Sequence, residues 1–184
     1  MNSVKETLKN FIDESITLTQ NGYFEVNSDP DWDSECIIKD EFGVSTWKPI
    51  AQNKPVNFAG LANAVESPIH PDAIDFFSSF WSGSLQGKTT EGPLSLIQLW
   101  NPEDFDRLVA NLIGHLMAKK NANLPFSLFF ATTDPDSELF LSIENHTGRI
   151  LLEEAGSPPI KEVDQNLSDF LKRVSPVNAL PDLY

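Results

Sequence analysis

The chain has 184 residues, 40% of them hydrophobic, which is enough to bury one well-packed core. Its 27 acidic and 13 basic residues give a net charge of −14, and such a field repels nucleic acids and anionic lipids. We therefore expect neither nucleic acid binding nor direct lipid binding. Two interpretations of the charge remain, a surface that binds a basic protein and a surface that serves only solubility.

The cellular context follows from features that the sequence lacks. Residues 1–15 interleave charged and apolar side chains, and no apolar run approaches the roughly 20 residues that a membrane span needs. We expect neither a signal peptide nor a membrane helix. The single cysteine, Cys36, cannot form an internal disulfide, which favours a reducing cytoplasm. We expect Cys36 to be a buried small side chain in a cytoplasmic monomer.

The beginning of the chain predicts an amphipathic helix. Ser3 followed by Glu6 is a capping box, and Asn21-Gly22 supplies a stop. The residues between them that recur at helical spacing are Val4, Leu8, Phe11, Ile12, Ser15 and Leu18.

An acidic loop, a hairpin and two helices are predicted next. Residues 23–33 are rich in Asn, Ser, Asp and Pro, which is typical of a loop. Residues 36–38 and 44–47 then form a short hairpin. Residues 58–65 predict a short helix, and a second helix follows Pro71. This second helix has an aromatic face that we assign to the core: Ile74, Phe76, Phe77, Phe80 and Trp81.

The longest predicted helix begins in the middle of the chain. Asn101 can cap it, Pro102 suits its first position, and Glu103 and Asp104 suit its positive first turn. Lys119 and Lys120 complement its negative end. An apolar stripe at i, i+3 and i+4 spacing predicts the core-facing side: Phe105, Leu108, Val109, Leu112, Ile113, Leu116 and Met117.

Strands are predicted on both sides of this helix. Two adjacent strands lie within residues 87–100, around Gly92-Pro93. Three more strand-like stretches and one short helix follow, and the last two strands form a hairpin. These elements are residues 127–132, 138–144 and 149–153 as strands, residues 167–174 as a helix and residues 175–184 as a tail.

The sequence offers little catalytic or metal-binding chemistry. No histidine lies beside a second His or a Cys at metal-ligand spacing, and no phosphate-loop, dinucleotide or nucleophile motif is present. Asp29, Asp31 and Asp33 alternate like the start of a calcium loop. Ser34, however, replaces the turn glycine, and Asp40 replaces the closing glutamate. We therefore expect no metal, no cofactor and no catalysis; converging carboxylates of raised pKa in a deep apolar pocket would revive the enzyme alternative.

A series of motifs extends from about residue 33 to residue 174. In chain order these are Cys36-Ile37-Ile38, Trp47-Lys48-Pro49, Gln98-Leu99-Trp100, Asp104-Phe105, Ala110-Asn111-Leu112-Ile113-Gly114-His115-Leu116, Leu124-Pro125, Leu128-Phe129-Phe130-Ala131-Thr132 and Ser142-Ile143-Glu144-Asn145, with Gly148 and Glu153 after them. The pattern resembles the Syd family, the SecY-interacting proteins of bacteria, which belong to the SUKH superfamily.

The resemblance implies a single-domain α+β fold in which a twisted, mainly antiparallel sheet packs against helices. It also implies a peripheral protein on the cytoplasmic face of the inner membrane. Such a protein binds the basic cytoplasmic loops of SecY through an acidic concave surface, and restrains or monitors the translocase. The alternative within the superfamily is an immunity protein that neutralises a basic toxin, and a neighbouring toxin gene would favour it.

The candidate partner-binding residues are all acidic. Glu66, Glu103, Asp104 and Glu153 lie on segments that match the motifs, and Asp31, Asp33 and Glu35 lie where the charge is dense.

Two further motif positions call for an interpretation. Asn111 and His115 stand four residues apart on the long helix, and we expect them to brace the sheet. Gly114 is a costly residue inside a helix, so it marks either a close approach of another backbone or a tolerated defect.

Overall fold

The structure, a computed structural model, describes residues 3–134 and 136–178. Its helices are α1 (Val4–Thr17), α2 (Ala59–Val65), α3 (Pro71–Ser79), α4 (Pro102–Asn121) and α5 (Leu167–Lys172). Its strands are β1 (Phe24–Asn27), β2 (Ile37–Glu41), β3 (Val44–Trp47), β4 (Ile50–Ala51), β5 (Phe80–Trp81), β6 (Leu85–Thr89), β7 (Gly92–Leu96), β8 (Ser127–Thr132), β9 (Leu139–Glu144), β10 (Ile150–Glu154), β11 (Lys161–Asp164) and β12 (Ser175–Pro176). Within the described ranges, no helix combines the length and the apolar composition that a membrane crossing needs.

A seven-stranded antiparallel sheet forms the centre of the fold. Its strand order is β11-β10-β9-β8-β7-β6-β12, so most neighbours in space are also neighbours in sequence. The register of β6 and β7 pairs Leu85 with Leu96, and that of β9 and β10 pairs Ile143 with Ile150. The expected adjacent strands, the expected second hairpin and the α+β class are thereby confirmed.

The first predicted hairpin is confirmed as β2 and β3. Phe42 and Gly43 turn the chain with φ values of 54° and 80°, as a two-residue type I′ turn requires. The prediction that residues 23–33 are loop throughout is wrong at β1, which pairs with β3. Three of its four side chains are exposed, so β1 lacks the alternation that would identify it; the Phe24 ring stacks on Trp47 at 4.6 Å.

The buried apolar side chains form one core cluster, to which the large sheet, α3, α4 and α5 all contribute. Phe130 of β8 meets Phe76 of α3 at 5.7 Å and Phe170 of α5 at 5.6 Å between ring centroids, both edge to face. The ring of its neighbour Phe129 instead contacts His115 of α4, at 5.8 Å. Ser127, two residues before Phe129, also contacts His115 at 3.1 Å. Because Ser127 and Phe129 contact α4 while Phe130 contacts α3 and α5, α4 lies on the other side of β8 from α3 and α5.

Helix α4 confirms the predicted start and corrects the predicted stripe. The Asn101 side chain accepts a hydrogen bond from the Asp104 N–H at 2.9 Å, as the cap required. Of the stripe residues, Ile113 and Met117 are 36% and 61% exposed. The buried α4 side chains are Leu108, Leu112, Leu116 and Lys119. The buried face is narrower than the stripe because positions one residue beyond Leu112 and Leu116 point about 100° away.

The end of α3, the two edges of the large sheet and the tail also differ from the prediction. Helix α3 ends at Ser79, because Phe80 and Trp81 extend to pair with β4. β11 and β12 complete the two edges of the sheet without an apolar pattern that predicts them. In the predicted tail, Ser175 and Pro176 pair with β6, while residues 179–184 lie outside the described residues.

Candidate partner-binding surface

Residues 29–33, the acidic part of the predicted loop, are held against the start of α4. Within the loop, Asp29 accepts hydrogen bonds from the Asp31 and Trp32 N–H groups. Between the loop and the segment before α4, the Trp100 indole N–H donates to the Trp32 carbonyl at 3.0 Å, and the Asn101 amide donates to the Asp33 carbonyl at 2.8 Å. Side chains of the β7–α4 connection therefore fix the position of the acidic loop.

The first turn of α4 adds two carboxylates with different environments. Glu103 is exposed, and its side chain accepts no hydrogen bond within the described residues. Asp104 is half-buried, and its carboxylate accepts from the Trp100 N–H at 3.0 Å. Asp104 therefore holds the β7–α4 connection in place, while Glu103 is available to a partner.

The structure brings four of the predicted residues together on one surface, which we call the acidic patch: Asp31, Asp33, Glu35 and Glu103. All four are exposed, and none takes part in an ion pair among residues 3–134 and 136–178. The guanidinium of Arg107 lies 3.8 Å from the Trp32 ring centroid, a cation–π contact beside the acidic patch. Unpaired carboxylates on a fixed backbone can attract a basic segment.

Glu66 does not belong to the acidic patch. It follows α2 in the left-handed conformation, with φ 60°. Nearby, the Lys120 ammonium donates to the Ala64 carbonyl at 3.2 Å, so Glu66 lies near the C-terminal end of α4. At about 1.5 Å per residue, the length of α4 places this end about 26 Å from Glu103.

Glu153 is buried, which corrects its assignment to the partner-binding set. The side chain is 0% exposed and forms an ion pair with Lys119, itself 1% exposed. The other carboxylate oxygen accepts from Ser127 at 2.6 Å and from Ser142 at 2.8 Å. Glu153 therefore joins α4 to three strands inside the protein, and no partner can reach it without unfolding.

The expected bracing role is confirmed for His115. Its Nε2 lies 3.1 Å from the Ser127 Oγ, and its ring meets Phe126, Phe129 and Phe140. Burial, followed by the nearby charge of Lys119, lowers the pKa of His115. Ser127, the partner of His115 on β8, is unsuited to nucleophilic attack, because the residue is only 1% exposed and its hydroxyl donates to Glu153.

A cavity beside α4 was not foreseen from the sequence. It has a volume of about 440 Å³, opens to solvent and is lined by residues of α4, β8 and β9 and by the residues that directly follow β7 and β10: Ile97, Gly114, His115, Ala118, Phe129, Thr132, Phe140 and Ala155. The β8–β9 connection, next to Thr132 and Phe140, carries three exposed acids that we call the cavity rim: Asp134, Asp136 and Glu138. Three acids in one short connection and a glycine in the interior of α4 are the sequence signals of this region.

The calcium-like spacing near Asp29 serves loop geometry instead. The Asp29 carboxylate accepts from a backbone N–H, and the Asp33 carboxylate accepts from the Ser34 N–H at 2.8 Å. Throughout the described part of the chain, no group of three or more His, Cys, Asp or Glu side chains is placed to hold a metal ion. Cys36 is 2% exposed, as expected, and burial raises the pKa of its thiol.

Comparison with known proteins agrees with the family that the sequence motifs resemble. The family model described as Syd protein (SUKH-2) matches residues 3–176. Protein Syd of Pseudoalteromonas atlantica is 36% identical over 155 residues, 82% of this chain and 83% of the relative. Protein Syd of Alteromonas mediterranea is 32% identical over 180 residues, 96% of this chain and 98% of the relative. The family match spans both the acidic patch and the cavity, and the chain belongs to the Syd family.

Proposed function

We propose that this protein binds the basic cytoplasmic loops of the SecY subunit of the translocon. It acts without catalysis, as a cytoplasmic protein held peripherally at the inner membrane through this contact, and it restrains or monitors the translocase. Family membership supports the choice of SecY, and the charge of the molecule supports the mode of binding.

The acidic patch is the observation that carries this proposal. Asp31, Glu35 and Glu103 are exposed, and their carboxylates make no described hydrogen bond or ion pair. A net charge of −14 raises the local concentration of a basic segment, and unpaired carboxylates meet it without first breaking ion pairs.

The test is binding to purified SecY complex in lipid nanodiscs, measured as association and dissociation rates at two salt concentrations. The Debye length falls from about 30 Å at 0.01 M to about 8 Å at 0.15 M salt, so the association rate falls steeply over this range. The dissociation rate changes much less. An association rate that salt does not alter overturns the electrostatic account.

Two charge-reversal variants distinguish the effect of the acidic patch on binding from the effect of net charge. The test variant carries Asp31→Lys, Glu35→Lys and Glu103→Lys. Because each reversal adds two charge units, three reversals change the net charge from −14 to −8. The control variant reaches the same charge with reversals at Glu14, Asp75 and Glu154, which are exposed residues of three separate elements.

The patch variant loses more affinity than the dispersed control, because its lysines repel the basic loops at the contact itself. The test positions leave Asp33 and Asp104 intact, since their carboxylates accept backbone hydrogen bonds. Circular dichroism confirms that both variants are folded. Equal losses in the two variants would assign the effect to net charge and place the contact elsewhere.

A further inference from the structure

We propose that the cavity beside α4 takes a bulky apolar side chain from the basic segment that this protein binds, so that recognition has an apolar anchor as well as a charge contact. The inference rests on the proposed function, because it assigns a second feature to the same basic partner segment. The acidic patch alone would accept any basic sequence of suitable length, whereas an anchor selects among basic sequences.

The lining of the cavity is suited to an apolar group. Phe129 and Phe140 meet edge to face at 6.2 Å, and the His115 ring contacts both of them. Ile97 and Ala118 complete an apolar wall. A volume of about 440 Å³ lies within the range of about 300 to 1,000 Å³ that is usual for ligand clefts.

The charge of the connection between two lining residues, Thr132 and Phe140, indicates which partner would enter. Asp134, Asp136 and Glu138 are exposed, and none of them is in an ion pair within the described ranges. The two lysines at the end of α4 are engaged elsewhere, Lys119 with Glu153 and Lys120 with the Ala64 carbonyl. An apolar side chain flanked by lysine or arginine therefore matches the cavity and its rim together.

Gly114 keeps the cavity open. A Cβ added to Gly114 would meet no atom of the described residues within 4 Å, although this glycine is in the middle of α4 and lines the cavity. Among those residues no other backbone approaches Gly114, so a close backbone approach does not explain this glycine. Glycine inside a helix costs about 1 kcal/mol relative to alanine, and here the missing side chain leaves room for a guest.

The same position supplies the test. Gly114→Leu adds a side chain to the cavity lining, and because its Cβ meets no atom of the described residues within 4 Å, we expect the fold to survive. Gly60→Leu is a matched control, because Gly60 is a helical glycine of α2 whose added Cβ would also meet no atom within 4 Å, and it does not line the cavity. Thermal unfolding verifies that both variants are folded.

The probes are two fluorescein-labelled peptides, each made of lysines around one central residue that is phenylalanine in the first and alanine in the second. Fluorescence anisotropy measures their Kd. Unaltered protein prefers the phenylalanine peptide by about tenfold or more, as burial of an aromatic ring predicts. Gly114→Leu abolishes this preference and Gly60→Leu retains it. Equal Kd values for the two peptides on unaltered protein, or a preference that survives Gly114→Leu, overturn the anchor.

Binding to SecY in nanodiscs distinguishes a failure of this inference from a failure of the proposed function. Weakened SecY binding by Gly114→Leu, with Gly60→Leu unaffected, supports the anchor in the natural partner. Unchanged SecY binding by Gly114→Leu overturns the anchor and leaves the proposed function standing. If SecY binds none of the proteins, the proposed function fails, and the peptide preference still decides whether the cavity takes an apolar side chain. Light scattering at the working concentration identifies self-association through the cavity, which would overturn the proposed occupant.

Discussion

The Lys119 ammonium of α4 and the Glu153 carboxylate of β10 form a buried ion pair, in which the two side chains are 1% and 0% exposed. Glu153 also contacts Ser127 of β8 and Ser142 of β9, so the pair connects α4 with three strands. Ser127 and Ser142 donate to the second carboxylate oxygen, so both carboxylate oxygens of Glu153 have donors. A buried charge of this kind is tolerated only while its partner is present.

Replacing Glu153 with alanine therefore leaves a buried ammonium without its counter-charge. We expect the free energy of unfolding to fall by about 3 to 5 kcal/mol, measured by urea unfolding followed by circular dichroism. Glu162→Ala is the control, because it removes an exposed ion pair with Arg149 and costs at most about 1 kcal/mol. The double variant Lys119→Met/Glu153→Met recovers part of the loss, since no unpaired charge remains. A Glu153→Ala protein with the parental urea midpoint would contradict this account.

Leu112 tests the assignment of the buried face of α4. Its side chain is 0% exposed, and Leu112→Ala creates a cavity that lowers the free energy of unfolding by about 2 to 5 kcal/mol. Met117 belongs to the predicted stripe but is 61% exposed, so Met117→Ala changes stability by no more than about 0.5 kcal/mol. Denaturant midpoints of the two variants give the comparison directly, and similar losses would place both residues in the core.

The contrast between Leu112 and Met117 shows which parts of the fold a sequence pattern predicts. Caps are local, so Ser3 and Asn101 predict their helix starts, and the structure gives both the expected hydrogen bonds. The apolar stripe of α4 predicts the buried side approximately, but only tertiary packing decides where it ends. Met117 therefore matches the pattern and remains exposed.

The site was predictable only in part, for a related reason. Asp31, Asp33, Glu35 and Glu103 could be identified by charge, yet their proximity depends on hydrogen bonds between the loop and residues almost 70 positions later. Glu153 was misplaced because a glutamate normally lies on the surface, and its partner Lys119 is 34 residues away in sequence. The cavity is formed by several separate elements, so no single segment of the sequence indicates it.

Two glycines give opposite predictions for the same substitution. Gly148 has φ +77°, and an added Cβ would lie 2.5 Å from the His70 ring. Gly148→Ala therefore lowers the free energy of unfolding by more than about 1 kcal/mol. Gly114→Ala has open space and a helical backbone, so it raises stability by up to about 1 kcal/mol. Thermal midpoints of the two variants should lie on opposite sides of the parental value, and midpoints on the same side would contradict the difference in local geometry.

His115 gives the fold a component of pH dependence. Burial and the charge of Lys119 lower its pKa below the ordinary 6.5, against a smaller opposing effect of Glu153. Between the folded pKa and 6.5 the unfolded chain binds more protons at this position than the folded protein does. The stabilising contribution of neutral His115 is therefore complete above the pKa of the unfolded chain, and it is lost as the pH falls through the pKa of the folded protein.

Urea unfolding from about pH 7.5 down to about pH 5.5 should show this loss as part of the total decline in the free energy of unfolding. In His115→Gln, which cannot titrate at this position, the decline over the same range is smaller. The difference between His115→Gln and the unaltered protein is the decisive measurement, because all other titrating groups are common to both. Parallel pH profiles for His115→Gln and the unaltered protein would show that His115 is charged as readily in the fold as in water.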